Sequence, residues 1–259
     1  MDATPDRRRG YRFMTIRLAA LVFALCLQEA PAPLPSKGKG GAAGETENEL
    51  KVGDKTRLYR LVVPEGLDPA KPVPLVFVFH GKGDSKNFIS FYSGFEAYAK
   101  KTGFIAVFPG GLDRHWEMRG REDNVDLAFF DALFAHLTSK YNIDLRRVYA
   151  TGMSMGGYFC NLLASRRSEQ IAAIAPHSGG LGVLAATGIG AKRKYAVMIV
   201  HGDADKIVNV EQGRAARDAY VKEGHEVEYV EVKGLAHVWA GKEGITEKMW
   251  KFFLAHPMK

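Results

Sequence analysis

The 259-residue sequence predicts an α/β fold with a mostly parallel central sheet and helices on both faces. Three observations predict it. Short continuous apolar runs recur at 75–79, 104–108 and 196–200, each with the length of a buried strand. Stretches long enough for helices separate these runs, and a helix between consecutive buried strands implies parallel pairing. The third is Gly152-Met153-Ser154-Met155-Gly156-Gly157, a G-x-S-x-G pattern set between a short strand at 147–150 and a helix opening at 158–164. A serine on such a strand-to-helix turn has its hydroxyl pushed out over the sheet edge, and the glycines are needed where backbones pack closely.

The first residues differ from the rest. Arg7, Arg8, Arg9, Arg12 and Arg17 precede an apolar run at 18–27, and Ala30-Pro31-Ala32 follows. Basic segment, short apolar segment and small-residue site make residues 1–32 a secretory signal peptide, with export to the periplasm or medium as the expectation. An uncleaved anchor, a twin-arginine signal at Arg8-Arg9 and lipid attachment at Cys26 are the competing readings. Residues 33–50 are rich in Pro, Gly and Glu and read as a disordered linker, leaving 51–259 as one catalytic domain.

Along that domain, residues 56–63 alternate with period two and suit an early antiparallel strand. After the buried strand at 75–79, residues 86–101 suit a helix stopped by Gly103. The strand at 104–108 ends in Pro109-Gly110-Gly111, and a loop carrying Trp116 leads to a helix at about 125–141. Beyond the Ser154 helix come strands at 171–175 and 196–200, a helix at about 210–223 ended by Gly224, a last strand at 227–232 and a last helix at 244–255. The Gly-rich connection between Pro176 and Tyr195 leaves no room for a large cap domain.

Composition excludes several classes. Hydrophobic residues at 46% and charged residues at 25% are those of a globular chain. The net charge of +7 falls to +5 without residues 1–32, which hold five Arg against Asp2, Asp6 and Glu29. Scattered Lys and Arg without aromatic interleaving read as a solvated surface, so no nucleic-acid partner is expected. No stable membrane partner is expected after signal removal, and oligomeric state is left open. With Cys26 in the signal, Cys160 stands alone among apolar residues and reads as core.

Serine is a poor nucleophile at neutral pH and needs a base, itself oriented by a carboxylate. His201-Gly202-Asp203-Ala204-Asp205 follows the strand at 196–200, and Asp205 is the candidate acid, four residues further out than His201; Asp203 is expected to support the turn by an Asx-type bond. Gly234-Leu235-Ala236-His237 follows the last strand, which makes His237 the candidate base. The order Ser154, Asp205, His237 is that of serine hydrolases with this strand-to-helix nucleophile. Among the other histidines, His136 and His225 are expected at the surface and His201 at its own turn, while His115 and His177 remain candidate substrate contacts. The tetrahedral oxyanion needs fixed N–H donors. The amides of Met155, at a helix start, and Lys82, after His80-Gly81, are the candidates. Trp116 and Trp239 are candidate substrate-stacking residues, with loop packing as the equal alternative. No metal and no cofactor are expected.

Residues 55–255 resemble the α/β-hydrolase esterases grouped with poly(3-hydroxybutyrate) depolymerases, feruloyl esterases and acetylxylan esterases. The resemblance rests on Val78-Phe79-His80-Gly81, Phe108-Pro109-Gly110-Gly111, Asp123-Asn124-Val125-Asp126, Asp144-Leu145-Arg146-Arg147-Val148-Tyr149, the Ser154 turn, the 201–208 segment and His237-Val238-Trp239. It implies the α/β-hydrolase fold, the roles of nucleophile, acid and base for Ser154, Asp205 and His237, an oxyanion amide from the residue after His80-Gly81, and a small or polymeric ester as substrate. The chain departs from the group in lacking disulfides and the Pro-Gly that often follows the tryptophan. A prolyl-oligopeptidase-like peptidase, which shares the Gly-x-Ser-x-Gly-Gly turn, and an inactive envelope-binding protein on the same scaffold are the alternatives; the first is disfavoured because no residues remain for a propeller.

Overall fold

The computed structural model describes residues 31–36 and 38–259. The signal-peptide reading of 1–32 falls almost wholly outside them. Eight strands form one sheet: β1 (Gly44–Val52), β2 (Lys55–Val63), β3 (Val73–Phe79), β4 (Ile105–Pro109), β5 (Ile143–Met153), β6 (Ala173–His177), β7 (Ala196–Gly202) and β8 (Val227–Val232). Their spatial order is β1-β2-β4-β3-β5-β6-β7-β8. β1 and β2 are antiparallel, β2 meets β4 antiparallel, and β3 to β8 are parallel throughout. The helices are α1 (Lys86–Tyr92), α2 (Phe95–Thr102), α3 (Val125–Lys140), α4 (Met155–Arg166), α5 (Leu184–Thr187), α6 (Glu211–Lys222) and α7 (Ile245–Ala255).

Successive strand side chains point to opposite faces, so each central strand feeds two cores. Leu75, Phe77 and Phe79 of β3 join residues of α3, α4 and α6 on one face. Val76 and Val78 join residues of α1, α2 and α7 on the other. Two covered faces explain why these strands read as unbroken apolar runs. None of the helices among the described residues is long and apolar enough to cross a membrane.

Several boundaries differ from the sequence reading. The described residues of 33–50 do not form a disordered linker. Leu34 N–H donates to Asp144 Oδ1 (2.9 Å), Ser36 N–H to Ile143 O (2.8 Å) and Gly40 N–H to Lys140 O (3.1 Å), and β1 begins at Gly44. Its acidic residues are cross-strand partners: Arg60 on β2 pairs with Glu45 (2.6 Å) and Glu47 (3.1 Å). The helix at 86–101 is two helices, because Ser93 ends α1 and Gly94 turns left-handed (φ 71°) before α2. β5 is longer at both ends than 147–150, and β6 lies two residues later than 171–175. The connection after Pro176 holds only the single turn α5, so among the described residues no cap domain is inserted there over the sheet edge.

Candidate active site

Parallel strands present their carboxyl ends along one rim, and β3, β5, β6, β7 and β8 each deliver a candidate residue there. Ser154 follows β5 and caps α4 with φ 56° and ψ −120°, a conformation that non-glycine residues rarely adopt. Strain of this kind, of order 1–3 kcal/mol, persists only where the surroundings over-determine it. Here they do. A Cβ on Gly156 would lie 2.2 Å from Phe79 O, and one on Gly152 2.8 Å from the same carbonyl. Ser154 N–H donates to His177 O at 2.9 Å. The turn is therefore wedged between the ends of β3 and β6.

The acid and base meet as the spacing implied. His237 Nδ1–H donates to Asp205 Oδ2 at 2.7 Å, with the Asp205 side chain fully buried and that of His237 17% exposed. Asp205 Oδ1 accepts the amides of Ile207 and Val208, both at 2.9 Å. Burial opposes its charge, but the His237 hydrogen bond and these two amides outweigh burial and hold the carboxyl below its ordinary value. Thus the Asx-type turn belongs to Asp205. Asp203, expected to make one, instead accepts the amide of Gly234 at 2.6 Å and ties the β7 and β8 loops together. His201 does shape its turn: buried, its Nε2–H donates to Val208 O at 2.8 Å.

His177 touches both the Ser154 turn and the loop that follows His237. The carbonyl of His177 takes the Ser154 amide, while its ring stacks on Trp239 (centroids 4.8 Å apart) and its Nε2 accepts Ala240 N–H at 3.1 Å. Among the described residues the Ser154 hydroxyl has no hydrogen-bond partner, and His237 Nε2 has none either. Such contacts in ligand-free sites often tighten only when substrate arrives.

The loop after β3 supplies the second wall. A Cβ on Gly81 would lie 3.6 Å from Ser154 Cβ, so this loop lies against the nucleophile. Buried His80 donates from Nδ1 to Gly81 O (2.7 Å) and accepts Gly111 N–H at Nε2 (2.9 Å). Burial lowers its pKa, which keeps both bonds available to the neutral ring. Asp84 N–H also donates to Gly81 O (3.1 Å). In a trans peptide the N–H points opposite to the C=O, so anchoring Gly81 O directs Lys82 N–H the other way. Neither Lys82 N–H nor Met155 N–H donates to a protein acceptor among the described residues, while the Lys82 side chain is exposed. Met155 opens α4, whose dipole favours negative charge there.

Two expectations are corrected. Trp116 and Trp239 are 2% and 5% exposed and cannot stack on a substrate. Trp116 donates from Nε1 to His80 O (2.8 Å) and packs between Phe79 and Phe159; Trp239 donates from Nε1 to Thr246 Oγ1 (3.1 Å). Both pack the loops they sit on, because a large ring with one donor is best buried where that donor finds an acceptor. His177 is fully buried and so is no substrate contact, His225 is buried beside Tyr195 rather than at the surface, and His115 is exposed. Cys160 is buried in the core, its thiol pKa pushed up by burial.

Sequence reasoning missed three supports. Arg57 on β2 pairs with Asp126 (2.5 Å) in the buried interior, and Asp126 also accepts Glu117 N–H. Asn124 caps α3 by accepting the amides of Asp126 and Leu127, and donates to Glu117 O and Arg119 O, so the 123–126 segment holds the Trp116 loop. Tyr92 on α1 accepts Trp239 N–H at its hydroxyl (3.0 Å), linking α1 to the His237 loop. A period-two strand with one cationic residue on its covered face was the only available signal for Arg57. Nothing local pointed to Tyr92. Among the described residues no three or more His, Cys, Asp or Glu side chains cluster so as to hold a metal ion.

Residues 128–252 match the phospholipase/carboxylesterase family model. The chain is 29% identical over 222 residues to feruloyl esterase D of Neurospora crassa, covering 81% of this chain and 74% of that protein. It is 33% identical over 168 residues to the bifunctional acetylxylan esterase/xylanase XynS20E of Neocallimastix patriciarum, covering 64% of this chain and 23% of that protein, so it spans about a quarter of that longer relative. A solved CE1 ferulic acid esterase from Anaeromyces mucronatus, in complex with ferulic acid, shares the fold with a TM-score of 0.63 at 16% identity, over 86% of this chain and 96% of that one. The chain has the α/β-hydrolase fold and is an esterase-family hydrolase, similar over residues 128–252 to the phospholipase/carboxylesterase family and, over most of its length, to feruloyl and acetylxylan esterases.

Proposed function

We propose that the protein hydrolyses carboxylic esters through an acyl-enzyme formed on Ser154. The observation that carries the reading is the pairing of a strained, outward-turned serine (φ 56°) with an Asp205–His237 hydrogen bond at the same strand rim. Ser154 Oγ attacks the ester carbonyl while His237 takes its proton, and Asp205 holds the imidazole with Nδ1 protonated and Nε2 free to act. The oxyanion is received by the amides of Lys82 and Met155, each such donor being worth about 3 kcal/mol of barrier. His237 returns its proton to the leaving alcohol, and water then releases the acid by the same route.

The proposed substrates are feruloyl or acetyl esters carried on plant polysaccharide, with polyesters as a further class. The printed activities of the relatives support this, as does an uncapped rim open to bulky esters. With both tryptophans buried, the exposed apolar side chains on α1 and on the Asp205 and His237 loops include Phe88 (45% exposed), Phe91 (84%), Ile207 (75%) and Val238 (42%). Phe88 stacks on Tyr92 at 4.8 Å, and Tyr92 bonds the backbone after Val238, so Phe88 is the ring offered to an aromatic acyl group. Export directed by residues 1–32 belongs to the same proposal, and N-terminal sequencing of the protein recovered from the medium tests it.

Ser154→Ala is expected to abolish turnover of p-nitrophenyl acetate with the fold intact, and retained activity would refute the nucleophile. A panel of methyl ferulate, acetylxylan, amorphous polyhydroxybutyrate and long-chain lipid esters tests the substrate class. Preference for lipid esters would overturn it.

A further inference from the structure

One buried histidine at the rim has no part in proton transfer, yet it touches both halves of the proposed machinery. His177 ends β6, between the strands that carry Ser154 and Asp205. Its main chain accepts the Ser154 amide (2.9 Å). Its ring reaches the opposite way: Nδ1 lies 3.1 Å from Ser178 Oγ, Nε2 lies 3.1 Å from Ala240 N, and the ring plane stacks within 20° of Trp239. An amide can only donate, so Nε2 must be the unprotonated nitrogen and Nδ1 must carry the proton. Ser178 supplies the matching acceptor from a left-handed backbone position (φ 48°). The charged and titratable groups facing this ring are His201, His237 and Asp205.

We propose that His177 is a positioning residue, which fixes the distance between the Ser154 turn and the His237 loop by holding one with its carbonyl and the other with its Nε2 lone pair. Trp239 and Ala240 follow His237 by two and three residues, so releasing Ala240 N–H frees the loop that aims His237 Nε2. An error of about 1 Å in such a placement can lower turnover by about 100-fold. The Ser154 turn would remain intact, since its hold on residue 177 is through the main chain. This inference rests on the Ser154–His237 reading.

The test compares three variants by steady-state kinetics, with melting temperature and the hydrogen exchange of the Ala240 amide as independent readouts. In His177→Gln, Oε1 reaches the Nε2 position and still accepts from Ala240. In His177→Asn the acceptor is too short, and His177→Phe keeps the stacking but has no acceptor. The expected result is a kcat lowered 10- to 100-fold in the Asn and Phe variants with KM within about threefold of the parent, kcat within about threefold of the parent in the Gln variant, and faster Ala240 exchange in Asn and Phe only. Parent-like kcat in a folded Asn or Phe variant would overturn the proposal. So would equal losses in Gln and Asn, or the failure of all three to fold, which would leave His177 a core residue and no more. If Phe alone fails to fold, the Gln and Asn pair decides. Ser154→Ala, assayed in parallel, separates the two ideas: residual turnover there defeats the nucleophile assignment, whereas an inactive Ser154→Ala beside a parent-like His177→Asn defeats only the positioning role.

Discussion

Acid should destabilise this fold well above the pH at which its carboxylates titrate, and His177 should account for a defined part of the loss. The perturbation is a fall from pH 7 to pH 4. Burial, with His201 and His237 nearby, pushes the His177 pKa down to about 3 from an ordinary 6.5. Because the folded value is depressed, the unfolded chain binds the proton first. The contribution is fully present above pH 6.5 and is lost progressively as pH falls toward 3. Integrating the two titrations gives a loss of about 3 kcal/mol between pH 7 and pH 4. Moving the folded value by one unit either way changes that figure by less than about 0.5 kcal/mol, since the unfolded histidine dominates the titration in this window. His80 and His225 are also lowered by burial and add losses of the same sign, so the parent alone is not diagnostic. The assay is urea unfolding at pH 7, 6, 5 and 4 for the parent and His177→Gln, read as the midpoint at constant slope. The variant should lose about 3 kcal/mol less over the range. Parallel pH profiles for the two proteins would refute the reasoning, because a side chain that does not titrate would then behave as one that does.

Four other substitutions follow from the structure. Asp205→Asn removes the charge that stabilises the His237 imidazolium and is expected to lower kcat by about 10³–10⁴-fold with the fold retained; steady-state kinetics against p-nitrophenyl acetate check it. Arg57→Ala leaves Asp126 buried and unpaired, and chemical denaturation should report a loss of about 3–5 kcal/mol. Trp116→Phe should lower the melting temperature through loss of the hydrogen bond to His80 O while leaving KM for methyl ferulate unchanged. Phe88→Ala should raise that KM several-fold with little effect on stability; the reverse pattern would return the tryptophan to the substrate.

Much of this molecule could be read from local pattern. The unbroken apolar runs of β3, β4 and β7 told of strands covered on both faces, and the glycines around Ser154 told of a turn with no room for side chains. The strand ends carrying Asp205 and His237 followed from alternating elements, because parallel strands leave their carboxyl ends on one side. β1 escaped notice for a physical reason: only Leu50 and Val52 at its end pack against the core, so most of this edge strand lacks the apolar alternation that marks a half-buried one, and Glu45 pairs with Arg60 of β2 and Lys100 of α2. The division of labour between Asp203 and Asp205 was half legible. Their order predicted which would reach the histidine, but not that Asp203 would bond a glycine 31 residues away.

The sequence by itself determined the chemistry available at the rim, since the Ser154 turn and the loops bearing Asp205 and His237 are set by neighbours within a few residues. Only the tertiary structure decided which aromatic rings face solvent and which pack, and which histidines act and which hold. Trp116 and His80 are joined across 36 residues, His177 and Ala240 across 63, and Arg57 and Asp126 across 69. Burial is a property of what the rest of the chain brings to a side chain. No window of sequence short enough to be read by pattern contains it.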